Sequence, residues 1–160
     1  MSFSIRKIEQ ADNPEIERII KTVLEEHGVN KPGTAYFDKS LLTMYESYTD
    51  KRSAYFIGLI DGSLSGGSGI FPTEGLPEGT CELVKMYLLP EARGKGLGKA
   101  LIDHCCAFAK EAGYKKVYLE TVPEFEKAIR VYEHSGFKNL DHALGNSGHF
   151  YCNIRMIKDI

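Results

Sequence analysis

Phe3, Ile5 and Ile8, set apart by charged neighbours, predict a short opening strand. Asn13 and Pro14 then read as a helix start, with Asn as N-cap and Pro at the first helical position. Ile16, Ile19, Ile20, Val23 and Leu24 recur at three-and-four spacing until Gly28 ends the helix. Residues 29–37 contain Pro32 and Gly33 and read as a loop. A second helix is expected over 38–48, with Leu41, Leu42 and Tyr45 on its apolar side.

The helical spacing ends there. Residues 53–60 and 63–71 form two strands around Asp61-Gly62, a pair suited to the positive φ angles of a type I′ turn. Gly66, Gly67 and Gly69 leave the second strand room for a bulge. A loop at 75–79 leads to a strand over 81–89. A helix over 97–112 places Leu97, Leu101, Cys105, Phe108 and Ala112 on one face, with Gly113 as its stop. A strand at 116–122, a helix at 124–134 and strands at 137–140 and 149–157 complete the chain. One strand–helix–strand unit inside a hairpin-rich order predicts an α/β fold: a mixed, mostly antiparallel central sheet flanked by helices.

Composition narrows the function classes. The 160 residues, 42% of them hydrophobic and 26% charged, suit one globular domain with a core of its own. Twenty Lys and Arg against twenty-two Asp and Glu leave a net charge of −2, which argues against nucleic acid as partner. No apolar run reaches the roughly 18 residues of a membrane helix. Residues 1–10 lack a secretory apolar stretch, so the cytoplasm is the expected compartment. Cys81, Cys105, Cys106 and Cys152 are then expected as reduced thiols, and no ligand spacing for a metal is present. Neither a Ser/His/Asp elbow nor a Cys/His nucleophile pattern is found.

The segment with most chemical content is Arg93-Gly94-Lys95-Gly96-Leu97-Gly98-Lys99, between a strand and a helix. Glycines allow a ligand close to the backbone, and the first amides of a helix have no internal acceptors. Those amides, the helix dipole and the charges of Arg93, Lys95 and Lys99 make a pyrophosphate site. The same string also reads as a glycine turn with solvated lysines. A P-loop is excluded because no Gly-Lys-Ser/Thr follows, and glycines at 94, 96 and 98 do not fit G-x-G-x-x-G.

With two further motifs, the chain resembles the GCN5-related N-acetyltransferases, the GNAT family. Arg93, Gly96 and Gly98 match its Arg/Gln-x-x-Gly-x-Gly/Ala turn, and Met86-Tyr87-Leu88-Leu89-Pro90 matches the strand before it. The run from Ala128 and Ile129 through Tyr132 to Gly136 and Phe137 matches its Ala-Ile-x-x-Tyr-x-x-x-Gly-Phe segment. The resemblance implies an acetyl-CoA-dependent N-acetyltransferase that moves the acetyl group directly to an amine, with no metal. It implies that the amides of residues 94–99 hold the pyrophosphate, that Met86 and Leu88 offer backbone groups to the pantetheine, and that one amide faces the thioester oxygen. It points to Glu82, eleven residues before Arg93, as base, with Glu120 as the alternative, and to Tyr132 as the acid for the leaving thiolate. A solvated Glu82 and a core Tyr132 are the competing readings. Phe125 stands where the family often has Asn. Tyr36, Tyr45, His149 and Tyr151 are acceptor-side candidates. A catalytically silent CoA-binding module, and a homodimer formed through the last strand, remain open.

Overall fold

The computed structural model describes residues 2–160. Its seven strands form one sheet in the order β1-β2-β3-β4-β5-β7-β6. They are β1 (Phe3–Lys7), β2 (Ala54–Ile60), β3 (Ser63–Phe71), β4 (Thr80–Leu88), β5 (Lys116–Thr121), β6 (Lys138–Leu140) and β7 (Ile154–Asp159). Only β4 and β5 run parallel; every other neighbouring pair is antiparallel. The helix α3 (Leu97–Glu111) makes the crossover between them. The mixed, mostly antiparallel sheet expected from the element order is therefore present.

Helices cover both faces. On one, α1 (Asn13–Glu26) and the short α2 (Met44–Ser47) press Ile16, Ile20, Leu24 and Met44 against Tyr55 and Ile57 of β2. On the other, α3 and α4 (Glu126–His134) bury Leu97, Leu101, Cys105 and Tyr132 against Ala54 and Phe56. Alternate residues of β2 thus feed two cores, which is why the strand reads as a continuous apolar run. Burying each large aliphatic side chain contributes roughly 1.5–3 kcal/mol. All four cysteines are free. No helix among the described residues is long and apolar enough to cross a membrane.

Several expected boundaries move. Asp12, not Asn13, is the N-cap of α1; it is held by two hydrogen bonds from Arg6, while the Asn13 side chain turns out to Tyr45 and Glu46. The helix expected over 38–48 is a 3-10 turn (Lys39–Thr43) followed by α2. Leu41 is buried as expected, but Leu42 and Tyr45 turn outward, at 66% and 38% exposure, and Met44 and Tyr48 are buried in their place. In α3 the buried face includes Ile102 and Ala109, and Phe108 and Ala112 sit at its edge. The strand expected from His149 begins only at Ile154, so His149 and Tyr151 lie in an irregular segment between β6 and β7.

Two bulges shape the centre of the sheet. The Asp61-Gly62 turn has φ of 47° and 84°, as a type I′ hairpin requires. Beyond it, the β2–β3 register shifts between Gly58 and Leu59, leaving Ser65 as an extra residue on β3. The second bulge lies on β4, opposite Ser68, and its centre is Lys85 with φ of 50°. Consecutive Val84 and Lys85 therefore both point towards the α1 side, whereas Leu83 and Met86 pack on the α3 side.

Candidate active site

Pairing between β4 and β5 lasts three residues, from Thr80↔Lys116 to Glu82↔Tyr118. From Leu83 onward β4 has no β5 partner, and a cleft opens between the two strands. Glu82 stands where they part. Tyr132 and Met86 line the cleft from the α3 side, and Lys85, Glu120 and His149 line it from the other.

Glu82 is only 3% exposed, so the solvated-face reading fails. Burial pushes its carboxyl up, a hydrogen bond from Thr73 Oγ1 pulls it down, and the charge of Glu120 pushes up again, leaving it at about 7. Glu120 accepts hydrogen bonds from Tyr118 at 2.6 Å and from Ser147. A neutral-range carboxyl in a cleft is suited to proton transfer.

Tyr132 is 6% exposed and packs edge-on against Phe137 at 6.0 Å. Burial, with a smaller contribution from Cys105, raises its phenol, and among the described residues its hydroxyl has no hydrogen-bond partner. It is thus both a core residue and a protonated hydroxyl at the cleft wall. Phe125, the N-cap residue of α4, stacks near His27 at 4.6 Å and Tyr87 at 6.0 Å. An aromatic wall thus occupies the position where the family often has Asn.

The glycine loop turns into α3 through two left-handed residues, Gly94 (φ 73°) and Gly96 (φ 87°), the latter being the N-cap. The first helical hydrogen bond is that from Ala100 N–H to the Gly96 carbonyl at 3.1 Å, so the preceding amides have no helical acceptor. At Gly98, a β-carbon would meet Met86 Cε at 3.1 Å, so α3 packs closely on β4 at this point. Leu97 is fully buried, and only its backbone belongs to the loop.

The three cations of the loop are not equivalent. Arg93 donates to both carboxylate oxygens of Glu26 at 2.9 Å and to the Leu88 carbonyl at 3.1 and 2.9 Å. The guanidinium holds the Glu26 carboxyl below its ordinary range and ties the end of α1 to the end of β4. Lys99 pairs with Asp103 at 2.8 Å, one turn along α3. Lys95 is exposed.

Of the acceptor-side candidates, His149 reaches the cleft. Tyr45 lies at a separate hollow beside Lys7 and Thr49, Tyr36 donates to Glu25 at 2.7 Å, and Tyr151 is not part of the cleft wall. Two residues that sequence patterning passed over are central. Lys85 has a side chain 8% exposed and pairs with Asp38 Oδ2 at 3.1 Å. Asp38 also accepts from His149 Nε2, at 3.0 and 2.9 Å to its two oxygens. Burial opposes the charge on each member of this trio. Mutual attraction outweighs it, so the Asp38 carboxyl is lowered and both cations are raised.

Residues 16–137 match the sequence model of the Acetyltransferase (GNAT) family. An N-acetyltransferase of Escherichia coli K12, the uncharacterised YjgM, is 40% identical over 157 residues, covering 98% of this chain and 94% of that protein. Among solved structures, a GNAT acetyltransferase from Staphylococcus aureus superposes with a TM-score of 0.86 at 19% identity, covering 99% of both chains. The PaiA N-acetyltransferase of Thermoplasma acidophilum, solved in complex with coenzyme A, superposes with a TM-score of 0.76 at 20% identity over 100% of both chains.

Proposed function

Because this chain belongs to the GNAT acetyltransferase family, we propose that it transfers an acetyl group from acetyl-CoA directly to a primary amine in a ternary complex. The amine belongs to a small molecule or a protein. The observation that carries the reading is the position of Glu82: a buried carboxyl of about 7, at the point where β4 and β5 part.

The residues present fit the donor. The left-handed turns at Gly94 and Gly96 and the amides up to Lys99 suit a pyrophosphate, with Lys95 and Lys99 adding charge. Arg93 acts mainly as a strut that fixes the loop against β4 and α1. The unpaired stretch of β4 around Met86 and Leu88 gives the pantetheine a backbone edge, and an amide there faces the thioester oxygen. When bound, acetyl-CoA supplies an activated carbonyl and a thiolate leaving group.

The remaining steps are proton transfers by this chain's side chains. An amine is protonated at neutral pH and cannot attack until a base takes its proton; Glu82 does this. The new N–C bond forms as the C–S bond breaks. Tyr132 gives its hydroxyl proton to the departing sulfur, which a phenol kept protonated by burial can do. The attacking nitrogen gives up its second proton, which passes through solvent to restore Tyr132, and the proton held by Glu82 is released to solvent.

Thiol release measured over a panel of amines, after calorimetry with acetyl-CoA, tests the reading. Turnover with at least one amine is expected. Binding of acetyl-CoA without turnover on any amine would instead support a silent CoA-binding module.

A further inference from the structure

We propose that the acceptor is an amino carboxylate of the α-amino acid type, with its carboxylate held by Lys85 and His149 and its amine facing Glu82. This rests on the acetyltransferase reading above and names the substrate class of the same cleft.

A lysine is an unexpected lining for a site that takes amines, since an ammonium repels an ammonium. Lys85 is nevertheless built in with care. A positive φ on a non-glycine residue is uncommon, and here it belongs to the bulge that turns the side chain to the cleft. The Lys85 carbonyl accepts a hydrogen bond from Tyr55 Oη at 2.7 Å, which holds that backbone geometry. The ammonium has three N–H groups, of which Asp38 takes one, and the Tyr48 hydroxyl stands beside it.

The charge count points to an anion. Asp38 is the one carboxylate bound by both cations, Lys85 and the ring of His149. Within the trio a single negative charge stands between two positive ones when His149 is protonated, and Glu82 acts on both cations as well. Once an ammonium occupies Glu82, a carboxylate on the same acceptor balances the remaining positive charge, which is costly to bury without a partner. His149 also reaches towards the other half of the cleft: its backbone N–H donates to Ser147 Oγ at 3.1 Å, and that hydroxyl donates to Glu120.

The opposite half is negative. The charge of Glu120 acts on Glu82, and two carboxyl groups there favour an ammonium in front of Glu82. The cleft is thus dipolar, with acidic and cationic ends, and a zwitterion matches both. A polyamine would set its second ammonium against Lys85. Glu82 and Lys85 lie three residues apart on β4, near enough for each charge to act on the other, so one small acceptor carrying both an amine and a carboxylate can face both.

The test compares matched acceptors: the common amino acids, their carboxamides, and the amines that lack the carboxyl group, leucine, leucinamide and 3-methylbutylamine being one such set. The carboxamide has the less basic amine and so the larger free fraction at pH 8; a preference for the acid then reports recognition of its carboxylate. We expect kcat/KM for at least one amino acid to exceed that of its carboxamide by about 10-fold to 10²-fold, as for a charge-assisted pair. Lys85→Asn, chosen because Asn tolerates positive φ, should bring this ratio towards one, mainly through KM for the acid. His149→Gln should lower the same ratio and provides a second route if the first variant does not fold. Turnover of carboxamides or plain amines in preference to every amino acid overturns the proposal and leaves the acetyltransferase reading intact. Absence of turnover with any amine overturns both.

Discussion

Tyr55 donates its phenolic hydrogen to the carbonyl of Lys85 at 2.7 Å, reaching across the face of β3 to do so. The reach is possible because β3 is glycine at the crossing. A β-carbon on Gly67 would lie 2.5 Å from the Tyr55 ring and 2.6 Å from the Phe56 carbonyl, and one on Gly69 would be similarly close. Glycines that look merely permissive in the sequence therefore clear a path for one ring, and that ring holds the β4 bulge in place. Gly67→Ala should destabilise the protein by about 1–3 kcal/mol, as over-packing does. Urea denaturation checks this; an unchanged midpoint would mean that the ring has another place to go.

Glu82→Gln should lower turnover by about 10²-fold or more. In the wild-type enzyme the rate should rise with pH and level off above about 7, where the carboxylate is free to accept a proton. The variant should lose that limb. A pH–rate profile that keeps its acidic limb at full rate would pass the role to Glu120 or to water.

The same substitution should stabilise the fold at high pH. Burial raises the folded carboxyl from an ordinary 4.5 to about 7, so the unfolded chain loses its proton first. Below pH 4.5 the group is neutral in both states and no penalty arises. Stability falls as pH rises from there, and the loss levels off above 7 at about 3 kcal/mol. Glu82→Gln should remove this loss, gaining stability at pH 8 and little at pH 4. Denaturation curves of both proteins at the two pH values give the comparison, and equal gains at both would place the effect in packing.

What could be read from the sequence followed the regular parts of the fold. Strand alternation, the Asp61-Gly62 turn and the apolar spacing of α1 depend on near neighbours, and they lead to the right sheet. The glycine loop and Tyr132 were legible because they sit in short contiguous strings. Lys85 and Asp38 were not. A strict two-residue period cannot show that a bulge has turned Lys85 to the cleft, and Asp38 and His149 meet across a separation of 111 residues. Burial of Glu82 was equally hidden, because only the parting of β4 from β5 separates a cleft wall from a solvated edge.

Tyr132→Phe should leave packing and acetyl-CoA affinity almost unchanged, since the ring supplies the contacts and only the hydroxyl is lost. Turnover should fall by about 10-fold to 10²-fold, towards the lower range of general-acid effects. A variant that works at the wild-type rate across the pH range would make Tyr132 a packing residue and leave the thiolate unassisted.

Gly96→Asp should abolish acetyl-CoA binding. The residue is at φ 87°, where side chains are strained, and the added carboxylate would face the anion that the loop is suited to hold. Calorimetry on folded protein, verified by circular dichroism, measures this. Wild-type affinity in that variant would move the donor site elsewhere.

Asp38 joins three stretches far apart in the chain, and two of them, around residues 38 and 149, lie outside regular helices and strands. The donor side, by contrast, is carried by β4 and α3, which share the main core. Such a division makes the enzyme modular in an evolutionary sense. On the proposed acceptor site, the exposed positions of residues 30–43 and 141–153 would be free to exchange sequence while Ala35 and Leu41 stay in the core and the machinery proposed for the thioester stays in place. Grafting both stretches together with residue 85, so that the partners of each new charge travel with it, is the route by which a new acceptor would be engineered into this scaffold.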